Sequence, residues 1–158
     1  ELQSSKQVGG GTVESLAAAI ADGIDPERTY VLGPGSTVGA IKAALGFDGS
    51  PIGVDVWRDG VVLAEDASES EIPDSLGANN VIVVSPIGGQ GFVFGRGNPQ
   101  LSPAVIRRCE VEIVASRSKL DGLSVLRVDT DDPDLDAALR GWRKVRVGRF
   151  ERRMMKIL

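Results

Sequence analysis

The sequence predicts an α/β fold: a mostly parallel, Rossmann-like sheet with flanking helices and one added β-hairpin. Short runs of β-branched and aliphatic residues, the clearest at 81–84, alternate with segments whose apolar residues recur at helical spacing. Loops rich in glycine and proline separate these segments, as is typical of βαβ units. At 158 residues the chain is long enough to bury a core of its own.

The first half of the chain predicts a βαβ unit preceded by a helix and followed by a hairpin. Residues 1–11 are polar with three consecutive glycines, so we expect a flexible lead-in, with residues 12–158 forming a single α/β domain. The predicted elements are a helix at 12–23, a strand at 29–32, a helix at 38–45, a strand at 52–57 and a hairpin turning at Asp59-Gly60. The handedness of crossover connections predicts that strands 29–32 and 52–57 are parallel.

The second half continues the alternation. The predicted elements are a surface helix at 67–76, a buried strand at 81–84, a helix starting at Ser102-Pro103, a strand at 111–115, a polar turn with two cations at 116–119, strands at 124–128 and 145–147 around an acidic helix at 131–139, and a closing strand at 154–158.

Composition limits the chemistry that the chain can perform. It contains no histidine, which excludes Ser-His-Asp and Cys-His nucleophiles and histidine-ligated zinc. Catalysis would rest on carboxylates, hydroxyls, backbone dipoles, Lys or Arg, or a hard metal such as Mg²⁺. A net charge of −4 argues against a nucleic-acid partner, and no apolar run reaches membrane-spanning length. With Cys109 as its one cysteine the chain cannot form a disulfide framework, so we expect a cytoplasmic location.

A glycine-rich segment follows the buried strand at 81–84. Five glycines lie between residues 88 and 97, directly after Ser85-Pro86, where proline ends the strand. So many glycines are costly in folding entropy, but they allow backbone amides to approach a ligand closely, most commonly a phosphate or a nucleotide. The alternative is a set of turns that merely link strands.

A second loop of the same kind follows the strand at 29–32. It lies at a strand-to-helix junction, where parallel sheets bind ligands, and its candidate phosphate-binding residues are Gly33, Gly35, Ser36 and Thr37. The alternative is that Ser36 or Thr37 merely caps the helix. The loop is not a Walker motif, because no lysine precedes Ser36-Thr37.

Residues 81–103 resemble the NAD-binding signature in the C-terminal domain of NAD kinases. Residues 85–88 are similar to the Thr-Pro-Thr-Gly of that signature, residues 89–92 stand at its Ser-Thr-Ala-Tyr, and residues 97–99 at its Gly-Gly-Pro. The sequence of this segment is more similar still to a divergent branch of the family, the predicted polyphosphate/ATP-NAD kinases that include the acetoin-catabolism X protein. Further passages fit that branch: residues 30–46 followed by residues 53–56, and residues 126–142.

This resemblance implies an activity and a set of ligand contacts. The activity is phosphoryl transfer from ATP or polyphosphate, with Mg²⁺, to the 2′-hydroxyl of the adenosine ribose of NAD. The implied contacts to NAD or NADP are Gly88, Gly89, Gln90, Gly91, Phe92, Arg96 and Asn98. Asp55 is the candidate carboxylate for a ribose hydroxyl or a metal, although an ordinary acid at a strand end would look the same. No metal ligands are assigned from the residues themselves.

The chain also departs from the family pattern. The family carries a Gly-Gly-Asp-Gly-Thr motif in an N-terminal domain, and at the nearest analogue here Gly35 stands where the Asp should be. Gly89-Gln90 replaces the Ser-Thr hydroxyls. The resemblance therefore implies that this is the C-terminal part of a longer chain, inactive without its N-terminal catalytic domain, and that it forms a homo-oligomer.

Two other functions stay open. Residues 33–41 are similar to the phosphate loop of ribose-5-phosphate isomerase and sugar-phosphate deaminases, for which Lys42, Asp55 and Asp66 would supply the lysine and the acid. The chain would otherwise be a non-catalytic ligand-sensing or oligomerisation domain. The last third also crowds acids at 129–136 and bases at 140–153, which would form either a Mg²⁺ site and a phosphate clamp or two solvated faces that neutralise one another.

Overall fold

A computed structural model describes residues 12–95 and 98–158. The described helices are α1 (Val13–Asp22), α2 (Ser36–Ala44), α3 (Glu71–Ser75), α4 (Pro103–Arg107), α5 (Arg117–Asp121) and α6 (Pro133–Leu139). The described strands are β1 (Thr29–Leu32), β2 (Asp55–Arg58), β3 (Val61–Ala64), β4 (Asn80–Val84), β5 (Phe92–Phe94), β6 (Glu110–Val114), β7 (Arg127–Val128), β8 (Gly141–Arg146) and β9 (Arg152–Ile157).

The strands form a seven-stranded sheet in the order β3-β2-β1-β4-β6-β8-β9, with β5 and β7 in a separate pair. Its centre is parallel, because β1 pairs with β4, β4 with β6 and β6 with β8 in the same direction. Its edges are antiparallel, at β2 and β3 on one side and at β9 on the other. The α/β class and the hairpin at Asp59-Gly60 are confirmed, whereas only the central half of the sheet is parallel.

Two apolar clusters cover opposite faces of the sheet, as alternation along a strand requires. Leu32 of β1 packs with Val38 and Ile41 of α2 on one face, together with α1. Its neighbour Val31 packs on the other face with Val105 of α4 and with residues of α6. The helices that follow neighbouring strands therefore lie on opposite sides, which opens a crevice at the carboxyl edge of the sheet.

The prediction that strands 29–32 and 52–57 are parallel was wrong. β2 begins at Asp55 and runs antiparallel to β1, with Asp55 opposite Leu32. The chain leaves α2 at the amino edge but then returns along the helix through residues 45–54, so that it enters β2 from the carboxyl edge. A backbone hydrogen bond from Gly35 N to Pro51 O at 3.1 Å and a buried Lys42–Asp55 ion pair hold this return segment in place.

Four other predictions need correction. The surface helix predicted at 67–76 is confined to α3, and the strand predicted at 124–128 is confined to β7, which pairs with β5 rather than joining the main sheet. The polar turn predicted at 116–119 is the start of helix α5, capped by Ser116, whose side chain accepts a hydrogen bond from Lys119 N. The strand predicted at 145–147 overlaps the end of the longer β8, which starts at Gly141 and ends at Arg146. Within the described residues no helix is long and apolar enough to cross a membrane.

The two tryptophans occupy contrasting places in the sheet. Trp57 of β2 is 6 % exposed and belongs to the core beneath α1 and α2. Trp142 of β8 is 64 % exposed.

Candidate functional site

The carboxyl ends of β1, β4 and β6 meet at one edge of the sheet and enclose a cleft of about 170 Å³. The cleft lies where the chain diverges from β1 towards β2 and from β4 towards β6, the place where open α/β sheets bind ligands. Its lining residues are Gly35, Ser36, Thr37, Ser85, Pro86, Ile87, Gly88 and Lys119. The structure thus brings the two loops predicted from sequence into one site, and it adds Ser85 and Lys119.

In the first loop the two predicted glycines shape the backbone and do not offer free amides. Gly33 N donates to Val83 O at 3.0 Å, and a Cβ on Gly33 would lie 3.1 Å from the Val84 side chain. Gly35 has a φ of 104° and donates to Pro51 O. Ser36 and Thr37 then begin α2, and no described residue accepts a hydrogen bond from their amides or partners their hydroxyls.

The second loop is a tight four-residue turn. Ile87 N donates to Phe92 O at 2.9 Å, and the intervening residues 88–91 carry no described acceptor for their amides. Gly88 and Gly91 have φ values of 74° and 80°, which favour glycine. Gly88, Gly89 and Gln90 are exposed, whereas Gly91 is buried, with room for no side chain because a Cβ would meet Val125 O at 2.6 Å.

The other candidate dinucleotide contacts lie away from this cleft. Asn98 lines a separate cavity of about 290 Å³ with Phe94 and residues 129–131. Phe92 is half-buried and borders an open depression beside Arg127. The candidate Arg96 lies outside the described residues.

Asp55 is fully buried and its carboxylate is used by the protein. Oδ2 lies 2.7 Å from Lys42 Nζ, with 1 % of the Lys42 side chain and none of the Asp55 side chain exposed. The two carboxylate oxygens also accept hydrogen bonds from Ser50 N and Asp66 N, each at 2.8 Å. This arrangement indicates a structural acid that fixes the segment between α2 and β2, since a ligand could reach neither oxygen.

The acidic segment of the last third is also engaged in local structure. Asp132 caps α6 and pairs with Arg107 at 2.9 Å, and this hydrogen bond lowers the pKa of Asp132. Asp136 accepts hydrogen bonds from the amide and the hydroxyl of Thr130. Across residues 12–95 and 98–158, no group of three or more acidic or cysteine side chains is placed to hold a metal ion.

Cys109 is a half-buried thiol with no described role in the cleft. Burial raises its pKa to about 11, and the opposing charge of Arg108 is too weak to offset this. The Cys109 thiol is therefore poorly nucleophilic, as expected of a packing residue.

One of three comparisons with known proteins gave a match. No curated protein and no solved structure matches the chain. The family model of the ATP-NAD kinase C-terminal domain, however, matches residues 25–157. That range contains every strand of the sheet and all of the residues that line the cleft. The chain therefore belongs to the family of ATP-NAD kinase C-terminal domains.

Proposed function

We propose that this NAD kinase-like chain binds NAD or NADP at the carboxyl edge of its sheet, with the phosphates of the dinucleotide against the cleft between β1 and β4. In the complete enzyme the reaction would be phosphoryl transfer from ATP or polyphosphate to the 2′-hydroxyl of the adenosine ribose. The observation that supports this best is the convergence of two loops in which the amides of Ser36, Thr37 and Gly88 have no described protein acceptor.

The chemistry of the cleft suits phosphate. The amides of Ser36 and Thr37 begin a nine-residue helix, where the helix dipole favours negative charge. Gly88 adds an exposed amide from the facing loop, and Lys119 adds a cation. Among residues 12–95 and 98–158, no carboxylate lines the cleft to repel an anion.

The lack of a described carboxylate in the cleft also suggests that the chain does not complete the reaction alone. Activation of a ribose hydroxyl needs a general base, and Asp55 is enclosed with Lys42. We propose that the acid comes from a separate domain carrying the Gly-Gly-Asp-Gly-Thr motif, and that the chain without it is inactive. The complete enzyme would be a cytoplasmic homo-oligomer, and Mg²⁺ would bind mainly to the nucleotide phosphates and to that other domain.

The isomerase alternative is less well supported. It needs an accessible lysine and acid beside the loop at residues 33–37. Lys42 and Asp55 do lie together, but as a buried pair. The exposed Asp66 donates its amide to Asp55 and does not line the cleft.

Calorimetric titration of the chain with NAD, NADP and ribose 5-phosphate tests the proposal. NAD or NADP should bind, and Gly88→Val should weaken this binding at least about ten-fold, because a branched side chain would stand between the loop amides and the phosphates. Gly60→Val is the matched control, since Gly60 also has a positive φ, of 83°, and open space around it, but lies in the β2–β3 hairpin. Its affinity should be unchanged.

Other results would contradict the proposal. Binding of ribose 5-phosphate alone, lost in Ser36→Ala, would favour the isomerase-like reading. If none of the three ligands binds, a non-catalytic sensing or oligomerisation domain would be favoured.

A further inference from the structure

Lys119 places an uncompensated positive charge beside the cleft. It lies in helix α5, immediately beyond the carboxyl end of β6, and its Nζ donates to Gly88 O at 3.3 Å. No described acidic residue pairs with it, whereas its neighbours Arg117 and Arg153 pair with Glu151 and Asp121. A half-buried ammonium that contacts one carbonyl retains donors for an anion.

Ser85 provides a second and independent indication of a ligand. The residue is 6 % exposed, yet no described residue forms a hydrogen bond with its hydroxyl. Its hydroxyl is not sealed inside the protein, because Ser85 lines the cleft. A nearly buried hydroxyl without a protein partner is unfavourable unless a ligand or solvent in the cleft supplies one.

The start of α2 supplies further hydrogen-bond donors to the cleft. Side chains cap helices α1, α4, α5 and α6, whereas α2 and α3 have no side-chain cap, and the N-cap of α2 is Gly35, which has no side chain. The amides of Ser36 and Thr37 are consequently left open on the wall opposite Ser85 and Gly88.

We infer that Ser85, Lys119 and the first turn of α2 form one subsite for a diphosphate, recognised as an inorganic group independently of any nucleoside. Its volume of about 170 Å³ is below the ~300–1,000 Å³ of pockets that enclose a whole drug-sized ligand, so the nucleosides would lie outside the cleft. This inference rests on the proposed function for the identity of the natural ligand, the diphosphate bridge of the dinucleotide. It assigns phosphate recognition to Ser85, which stands at the first position of the family signature, and to Lys119, which lies outside that signature.

The experiment is a calorimetric titration of the chain with inorganic pyrophosphate, repeated with NAD. Pyrophosphate should bind, and Lys119→Gln should weaken it by about ten-fold to a hundred-fold, since a charge-assisted hydrogen bond is lost. Ser85→Ala should weaken it several-fold, and Lys119→Arg should retain most of the affinity. The control is Lys156→Gln, which removes an exposed lysine of β9 with no described acidic partner and should leave binding unchanged. A thermal melt of each variant checks that it is folded.

The possible results separate this inference from the proposed function. Pyrophosphate binding that depends on Lys119, without any response to NAD or NADP, supports the subsite and overturns the dinucleotide assignment. NAD binding that pyrophosphate does not displace and that Lys119→Gln does not weaken overturns the subsite while leaving the proposed function intact. Equal losses in Lys119→Gln and Lys156→Gln, or no pyrophosphate binding at all, also overturn the subsite.

Discussion

Replacing Lys42 by methionine should lower the free energy of unfolding by about 3 kcal/mol, the lower end of the range for breaking a buried ion pair. Lys42 Nζ lies 2.7 Å from Asp55 Oδ2 and donates to Ser50 O, also at 2.7 Å. Methionine fills a similar volume, so the loss comes mainly from a buried carboxylate without its cation. Asp55 would keep the amides of Ser50 and Asp66, which limits the penalty.

Equilibrium unfolding in urea, followed by circular dichroism, measures this loss. The matched control is Arg153→Met, because Arg153 and Asp121 are separated by a similar 2.8 Å but are 41 % and 68 % exposed. The control should lose less than about 1 kcal/mol. The double variant Lys42→Met/Asp55→Asn should be less destabilised than the sum of its single variants, by at least about 1 kcal/mol. Additive losses, or equal losses in Lys42→Met and Arg153→Met, would refute the assignment of a coupled buried pair.

Three further predictions concern the rest of the molecule. Gly91→Ala should cost more than about 2 kcal/mol, because a Cβ would lie 2.6 Å from Val125 O at a φ of 80°, and an unchanged urea midpoint would rule this packing out. Cys109, with a pKa of about 11, is about 0.1 % thiolate at pH 8, so a disulfide reagent should react slowly with the native chain and rapidly in urea. Immediate native reaction would contradict that burial. The hydrogen bond from Arg107 lowers the pKa of Asp132, so its contribution to stability is present above the ordinary value of about 3.9 and is lost as the pH falls through the lowered one. In the Asp132→Asn variant the free energy of unfolding should therefore fall less steeply below about pH 4. The same pH dependence in the variant and the unchanged protein would exclude this role.

The sequence predicted most of the central sheet and half of the cleft. Residues 29–32 and 81–84 are short, apolar on both faces and followed by glycine-containing loops. Such runs belong to buried parallel strands, whose carboxyl ends share an edge. The meeting of the loops at 33–37 and 85–88 follows from that topology.

The direction of β2 depended on contacts that local pattern does not encode. Lys42 and Asp55 are thirteen positions apart and look like ordinary polar residues in the sequence. Only their burial shows that the intervening segment folds back along α2.

The position of Lys119 beside the cleft was not predicted, for a related reason. A polar turn with two cations is equally typical of a solvated surface, and only the position of β6 beside β4 brings it to Gly88. The strand β5 was not predicted because its three residues are flanked by glycines. Its partner β7 also lies far along the chain, so no local pattern indicates the pairing.

The contrasting positions of the two tryptophans give the protein built-in optical probes. Trp57 lies with its ring centroid 6.1 Å from that of Tyr30, close enough for light absorbed by the tyrosine to be emitted by the indole. An aqueous quencher such as iodide should reduce the fluorescence of Trp142 and leave the fluorescence of Trp57 nearly unchanged. A single unlabelled sample can therefore report separately on the exposed side chain of β8 and on the interior beneath the first two helices.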